Sequence, residues 1–433
     1  MLNFGTFSKV KKNSLANVLR VILGIPLSLF FTYFVLKKLS LSDYGAWALS
    51  ISFFSYFSFF DLGLTPAVTR FISYHHARKD QNSVNKIINT ALFYYLTAGF
   101  FITVILLFLR PLMLKLFFNK TGVEFDQYSF IYTVVIITGF IDFIFTTFTA
   151  IVNGFQRMEI TSLIDLVKNT FIPVFGLIAL LINPNLVYFS ISFFISTVLW
   201  ALITYIFTKS IVRNMQLSAK FINKKTFLEL FKFGIKSQFS SWSNYVLFNI
   251  DKLIISHFLG IDKVAYMDIA LKVISQARQL INSFIAPILP AAAEKTVLFK
   301  NKVRDFYNTS IKFVSIASAG VFIALIILSP WLVNLWLGPG FKQSVLAIQI
   351  LSIGHCINML TGPASAILFA QNKPGPVMVL AVADSILHTV FSVTGIVFFG
   401  FTGLLIASSF SLFLSDSIFV LIAPRFFGKS STE

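Results

Sequence analysis

Long apolar stretches alternate with short polar connections along almost the whole chain. Each stretch is close to the roughly 20 residues that a helix needs to cross a bilayer. The pattern predicts an all-α polytopic membrane protein with about twelve transmembrane helices. The predicted spans are residues 14–36, 45–73, 87–109, 127–152, 161–182, 186–208, 230–258, 264–292, 308–336, 343–370, 377–399 and 401–423.

The longest polar interruption, residues 209–229, divides the predicted spans into two sets of six. Similar segments recur on its two sides, since residues 39–45 follow the first span and residues 259–265 follow the seventh. Transporters are often built from such repeats, with the substrate site between the halves. We therefore expect an N-terminal lobe over 1–208, a cytoplasmic linker and a C-terminal lobe over 230–433. Chance similarity among apolar segments is the alternative to a true repeat.

Composition and charge agree with a membrane protein. The 433 residues are 56% hydrophobic and only 12% charged, more apolar surface than a soluble protein of this length could bury. A net charge of +18 would suggest nucleic acid in a soluble protein. Here the Lys and Arg residues of the connections lie 19 on one side of the membrane and 7 on the other. The positive-inside rule then places both termini in the cytoplasm and gives no reason to expect a nucleic-acid partner.

Polar residues inside three spans form stripes at helical spacing, which predicts one hydrated lumen. The stripe in span eight contains Asp268, Lys272, Ser275, Gln276, Gln279, Asn282 and Ser283, with Arg278 at its edge. Cations dominate the expected lumen, and we select them as substrate-binding candidates: Arg20, Lys236, Lys252, Lys272 and Arg278.

Arg and Lys match a phosphate or an acidic sugar in charge and in hydrogen bonding, so the lumen is expected to attract an anion. Two alternatives stay open. Arg20 and Lys236 lie near span ends and can snorkel to lipid headgroups. Asp268 and Lys272 are spaced i,i+4 and can simply neutralise each other.

Carboxylates at membrane depth are expensive, so we take Asp61, Asp251 and Asp268 as candidates for coupling to an ion. Asp61 lies beside Gly63 and Pro66, which together predict a bend in span two. A structural contact between helices is the alternative role for Asp61. Other intramembrane charges are expected to pair within one helix, namely Asp165 with Lys168 and Asp384 with His388.

No motif for a cofactor, a metal or an enzymatic reaction is found. The single cysteine, Cys356, excludes a disulfide framework. Residues 423–430 resemble a phosphate-binding loop loosely, but Ala423 stands where the first glycine is required. There is no His-Glu-x-x-His motif and no Gly-x-Ser-x-Gly motif. We therefore expect no enzyme, no cofactor and no metal site.

The chain resembles a known family most sharply over residues 41–49 (LSDYGAWAL), 59–64 (FFDLGL) and 69–71 (TRF). These segments resemble the start of the Wzx-type flippases for lipid-linked oligosaccharides. Those flippases form a polysaccharide-biosynthesis branch of the multidrug/oligosaccharidyl-lipid/polysaccharide exporter superfamily. Residues 153–157 and 248–252 also look like that family.

The resemblance implies two six-helix lobes that form a V around a central cavity. It implies that the protein turns undecaprenyl-pyrophosphate-linked repeat units, of an O-antigen or capsule, from the cytoplasmic to the periplasmic leaflet. Transport would proceed by alternating access in the bacterial cytoplasmic membrane, driven by H⁺, Na⁺ or the membrane potential. Membrane lipids, a polymerase and a chain-length protein would be partners. By helix and side, Arg20 and either Lys272 or Arg278 match cavity cations of related flippases.

Two other functions remain open at this stage. A multidrug exporter of the same superfamily for organic cations is expected to have a more acidic lumen. A polysaccharide polymerase or ligase is expected to carry a large external loop, whereas the predicted outer connections are short, such as residues 183–185.

Overall fold

The computed structural model describes residues 26–118, 123–212, 214–285, 303–371 and 373–427, together with residues 288 and 292. These residues are almost entirely helical and contain no strand, which confirms the all-α prediction for the described part of the chain. The helices are α1 (26–38), α2 (Leu41–Ser55), α3 (Leu64–Ala77), α4 (Gln81–Phe108), α5 (Arg110–Met113), α6 (Val123–Gly154), α7 (Met158–Ile182), α8 (Leu186–Ile211), α9 (Lys224–Leu259), α10 (Ile261–Ile285), α11 (Val303–Leu337), α12 (Lys342–Asn358), α13 (Thr361–Ala370) and α14 (Gly375–Ile422).

Within these described ranges, seven helices are long and apolar enough to cross a membrane, and the bent pair α2–α3 makes an eighth. The more polar helices α9 and α10 coincide with predicted spans seven and eight. In α14, Gly400 has a non-helical φ of 63° and separates predicted spans eleven and twelve. Helical segments therefore coincide with every predicted span, although the first and eighth spans are described only in part.

The described residues form two compact units. The N unit comprises those within Phe34–Tyr245, and the C unit comprises those within Met1–Tyr33 and Val246–Glu433. Helix α9 contributes its first part to the N unit and its last part to the C unit. The predicted lobe boundaries and the V-shaped arrangement remain predictions.

Helix α6 is the centre of the N unit, where it packs against α2, α3, α4, α7 and α8. Two glycines allow this dense packing. A Cβ atom at Gly139 would lie 2.7 Å from the ring of Phe57, and one at Gly154 would lie 2.7 Å from Ile72. Their missing side chains let neighbouring helices approach closely, which increases dispersion contacts along α6.

The predicted bend in span two is present, and it measures 46°. Helix α2 continues into a 3-10 turn over Tyr56–Asp61, after which Leu62 and Gly63 adopt left-handed φ angles of 50° and 71°. Pro66 lies in the first turn of α3, where a missing N–H is tolerated. A Cβ atom at Gly63 would lie only 2.0 Å from the carbonyl oxygen of Gly234. The break therefore lets α3 pass directly against the α9 backbone.

Side chains of neighbouring helices satisfy the carbonyl groups that this break frees. The carbonyls of residues 58–60 accept hydrogen bonds from Gln238 Nε2 at 2.9 Å, Trp242 Nε1 at 3.0 Å and the Tyr94 hydroxyl at 2.6 Å. An unsatisfied carbonyl in the hydrocarbon region would cost several kcal/mol. Helices α4 and α9 thus make the broken span tolerable in a bilayer.

The predicted cytoplasmic linker is held against α4 by buried polar side chains. Asn89, which is 7% exposed, donates to the Gln216 carbonyl at 2.7 Å and accepts from the Ser218 N–H at 2.8 Å. The Asn223 N–H donates to Thr90 Oγ1 at 3.1 Å. The Asn89 side-chain amide thus donates one hydrogen bond to the linker backbone and accepts one from it, as a neighbouring backbone segment would. These bonds hold the linker against α4.

We expect Asn89→Leu to loosen this linker, because it leaves one N–H and one C=O of the linker without their partner at about 1–3 kcal/mol each. Trypsin should cleave after Lys209, Lys220 or Lys224 roughly tenfold faster in the purified variant. Asn82→Leu is the matched control, since Asn82 is exposed on the same helix. Equal cleavage rates for wild type and Asn89→Leu would contradict the proposed role of the Asn89 hydrogen bonds in holding the linker.

Candidate functional site

Helix α10 presents the predicted polar stripe on an accessible face of the C unit. Lys272 lies near the middle of the helix with 35% of its side chain exposed, and its Nζ is 3.5 Å from Thr32 Oγ1. Ile274 and Ile281 on the other side of the helix are fully buried. The other accessible members of the stripe are Ser275, Gln276, Gln279, Asn282 and Ser283.

Two lysines share one carboxylate beside this stripe. Lys252 Nζ lies 2.7 Å from Asp268 Oδ1, and Lys272 Nζ lies 3.3 Å from Asp268 Oδ2. Lys252 and Asp268 are 7% and 6% exposed, respectively. The Asp268–Lys272 contact that the i,i+4 spacing offers as an alternative is therefore present, but the cluster also contains Lys252. Two ammonium groups and one carboxylate leave a formal charge of +1, which reaches the accessible face through Lys272.

Arg278 lies in a second, buried network that joins α10, α12 and α14. The side chain is 8% exposed. Its Nη1 lies 3.0 Å from His355 Nδ1 and 2.5 Å from Asn358 Oδ1. Asn358 Nδ2 in turn donates to Asp416 Oδ2 at 2.9 Å, and the Arg278 guanidinium lies 5.2 Å from the centre of the Phe248 ring. These contacts place Arg278 in the core of the C unit, apart from the accessible stripe.

Asp251 occupies a third network, also inside the C unit. It is 1% exposed, its Oδ1 lies 3.1 Å from His388 Nε2, and its Oδ2 accepts from Ser408 at 2.9 Å. His388 Nδ1 lies 3.2 Å from Ser411 Oγ. Helices α9 and both parts of α14 are thus linked by a buried carboxylate and an imidazole.

Asp61 lies in the N unit at the break of span two. Its Oδ1 accepts from Thr65 Oγ1 at 2.6 Å and from the hydroxyl of fully buried Tyr95. A cavity of about 380 Å³ adjoins this carboxylate. Asp142 also lines the cavity, and its carboxylate forms an ion pair with Lys168 of α7.

The eight predicted site residues fall into several places. Arg20 lies outside the described residues, and so does the side chain of Lys236, although its backbone is part of α9. The structure brings Lys252, Asp268 and Lys272 together. It places Arg278 and Asp251 in separate buried networks of the C unit, and Asp61 in the N unit.

Sequence periodicity missed partners that lie far away along the chain. Tyr95 is 34 residues from Asp61, and Arg278 is 77 residues from His355 and 80 from Asn358. Pairs within one helix were expected for Lys168 and His388. In the structure, Lys168 contacts Asp142 of α6 and His388 contacts Asp251 of α9, so both side chains have partners on other helices. The available signal was only the presence of polar residues inside apolar spans, which indicates that a partner exists without naming it.

Comparison with known proteins identifies similarity over most of the chain. A family model described as polysaccharide biosynthesis protein matches residues 8–295. The chain is 23% identical over 367 residues to the putative O-antigen transporter of Shigella flexneri, covering 82% of this chain and 84% of the relative. It is 22% identical over 411 residues to an uncharacterized membrane protein of Methanocaldococcus jannaschii, covering 92% and 80%.

Solved structures share the fold at low sequence identity. An inward-facing multidrug resistance MATE family transporter of the MOP superfamily aligns with a TM-score of 0.78 at 14% identity, covering 94% of this chain and 97% of that one. The lipid II flippase MurJ in an inward closed conformation aligns with a TM-score of 0.77 at 14% identity, covering 95% and 88%.

We expect Asp268→Asn to destabilise the C unit, because it leaves the Lys252 ammonium buried without its carboxylate. Removing one partner of a buried ion pair costs about 3–5 kcal/mol. The melting temperature of the detergent-purified protein should fall by several degrees and recover in the double variant Asp268→Asn, Lys252→Met. Asp262→Asn, exposed in the first turn of the same helix, is the control. A double variant no more stable than Asp268→Asn alone would argue against this pairing.

Proposed function

We propose that the chain, which belongs to the polysaccharide biosynthesis protein family, is a flippase for lipid-linked glycans. In full, it moves undecaprenyl-pyrophosphate-linked oligosaccharide repeat units from the cytoplasmic to the outer leaflet by alternating access. The similarity to a putative O-antigen transporter supports this cargo. The fold, which is also that of a lipid II flippase, is compatible with it.

One observation carries the proposal: the Lys272 side chain is 35% exposed in the middle of α10, where the buried Lys252–Asp268 pair supports it. The prenyl tail of the cargo is as apolar as lipid and needs no polar path. The diphosphate carries charge that hydrocarbon cannot solvate. An accessible ammonium group at membrane depth compensates that charge, and the neighbouring hydroxyl and amide groups of the stripe replace water.

The sign of the charge separates this function from its alternatives. A multidrug exporter for organic cations would place a carboxylate, rather than a net charge of +1, on the accessible stripe. A polymerase or ligase would need a large external domain, and the connection between α7 and α8 spans only residues 183–185. These features favour transport over catalysis.

We place the energy coupling at the carboxylates Asp61, Asp251 and Asp268, of which Asp61 is partly buried and the other two are buried. A carboxylate at membrane depth is costly unless it is paired, hydrogen-bonded or protonated. Asp251 Oδ1 lies 3.1 Å from His388 Nε2, and a carboxylate beside an imidazole offers two groups that can carry a proton, so this pair suits H⁺ as the coupling ion. Na⁺ coupling is the alternative, and the two ions are distinguished by the gradient experiment below.

The proposed location is the bacterial cytoplasmic membrane, with both termini in the cytoplasm. The excess of positive residues on one side of the predicted spans supports this orientation. Membrane lipids surround the protein, and a polymerase and a chain-length protein acting on the same glycan are the expected partners.

Lys272→Gln should slow flipping of an undecaprenyl-pyrophosphate glycan in proteoliposomes by about tenfold, because the diphosphate loses a charge-assisted partner worth about 1.5–3 kcal/mol. Lys272→Arg should retain most of the rate, since it keeps the charge. Lys342→Gln, at an exposed position of the same unit, is the control. Undiminished flipping by Lys272→Gln would remove the proposed role of this cation, and no flipping by wild-type protein would refute the function itself.

Asp251→Asn should make flipping insensitive to an imposed H⁺ gradient, because the amide neither binds nor releases a proton. Wild-type flipping should accelerate several-fold with the gradient and remain unchanged by a Na⁺ gradient at constant pH. The same comparison is made for Asp61→Asn and Asp268→Asn, with correctly folded protein verified by size-exclusion chromatography. Full gradient dependence in all three variants would show that coupling resides elsewhere.

A further inference from the structure

The cavity of about 380 Å³ in the N unit has no role in the proposed handling of the diphosphate. We propose that it is a sugar subsite that receives an uncharged, hydroxyl-rich ring of the glycan and disfavours acidic sugars. This inference rests on the proposed flippase function and adds a specificity to it. The volume of the cavity is within the range of roughly 300–1,000 Å³ found for small-molecule sites.

The cavity is built from three parts of the N unit whose polar residues converge. Asp61 comes from the break in span two. Asp142 and Thr146 are spaced i,i+4 on α6 and therefore share one face. Gln238 and Tyr245 are spaced i,i+7 on α9 and line the cavity from that helix. The polar groups are fixed by rigid helices, as a specific binding site requires.

Hydrogen-bonding capacity suits a donor-rich ligand. A carboxylate only accepts hydrogen bonds and offers about four acceptor sites. The hydroxyls of Thr65 and Tyr95 and the backbone N–H groups of Gly63 and Thr65 donate to Asp61 and hold this carboxylate in place. Asp142 binds Lys168 through Oδ1, which leaves its Oδ2 as an acceptor for ligand hydroxyls. Sugar hydroxyl groups are donors of the matching kind, whereas a phosphate group, or the carboxylate group of a uronate, adds acceptors without a donor.

Apolar rings form the remaining wall of the cavity. Phe54, Phe57 and Phe143 line it, together with Tyr245. A pyranose ring presents C–H groups on its faces and hydroxyl groups at its edge. Aromatic walls with a few placed polar groups therefore match both parts of such a ring.

Charge gives the subsite its selectivity. Asp142 is neutralised by Lys168, whereas the partners recorded for the Asp61 carboxylate are hydroxyl and backbone groups. With Asp61 ionised, the cavity has a formal charge of −1, opposite in sign to the Lys252–Asp268–Lys272 cluster. An acidic sugar would meet like charge here, which is a recognised way to reject a ligand.

The test compares the affinity of nanodisc-embedded protein for undecaprenyl pyrophosphate with and without a neutral trisaccharide. Wild-type protein should bind the glycan-bearing lipid at least tenfold more tightly, about 1.4 kcal/mol. Thr146→Leu fills the cavity and should abolish this preference while leaving affinity for the bare lipid unchanged. Lys272→Gln should lower the affinity for the bare lipid and for the glycan-bearing lipid by the same factor. Thr97→Leu, between exposed Phe93 and Phe101 on α4, is the matched control.

A second measurement decides the case if Thr146→Leu does not fold. Asp61→Asn removes the negative charge with little change in shape, so it should raise affinity for the lipid bearing a uronate-containing trisaccharide by about tenfold. An unchanged glycan preference in folded Thr146→Leu would overturn the subsite, as would an unchanged affinity for the acidic glycan in Asp61→Asn. Failure of wild-type protein to bind or flip either lipid would instead refute the flippase function.

Discussion

The structure depends on one constraint, namely that polar groups at membrane depth must find their partners within the protein, because hydrocarbon offers none. The break in span two illustrates it. Left-handed φ angles at Leu62 and Gly63 free the carbonyls of residues 58–60, and three side chains from α4 and α9 bind them. The same constraint forces Asp268 to lie between two lysines. Polar residues in this chain therefore occur in sets, and each set ties several helices together.

Some of these sets are accessible and others are buried. Only an accessible set can meet a ligand, whereas a buried set joins helices to one another. Lys272 keeps part of its side chain accessible, and for this reason we propose that its charge compensates a ligand. Arg278 is enclosed by His355, Asn358 and the ring of Phe248, so its guanidinium joins helices within the C unit. Both cations lie on α10, six residues apart, so their side chains leave the helix in directions that differ by about 120°. A cation inside a span is thus not by itself a ligand site.

The resemblance first noticed over residues 41–71 is confirmed by the family match over residues 8–295. The fold alone assigns no cargo, because a multidrug transporter and a lipid II flippase align almost equally well with this chain. Function must therefore be argued from the chemistry of the sites. Here that chemistry has two signs, positive around Lys272 and negative around Asp61. A lipid-linked glycan contains parts suited to each, namely a diphosphate and uncharged sugar rings.

The sequence by itself determined the all-α membrane architecture, the positions of the helices and the bend beside Asp61, and it offered the Asp268–Lys272 contact as one of two alternatives. All of these depend on local hydrophobicity, on glycine and proline, or on i,i+4 spacing. Only the tertiary structure decided that Lys252 joins Asp268, that Tyr95 binds Asp61, and that Arg278 points into the core. The physical reason is that periodicity fixes which residues share a face of one helix. Which helix that face meets depends on packing between segments far apart in the chain, which no local pattern encodes.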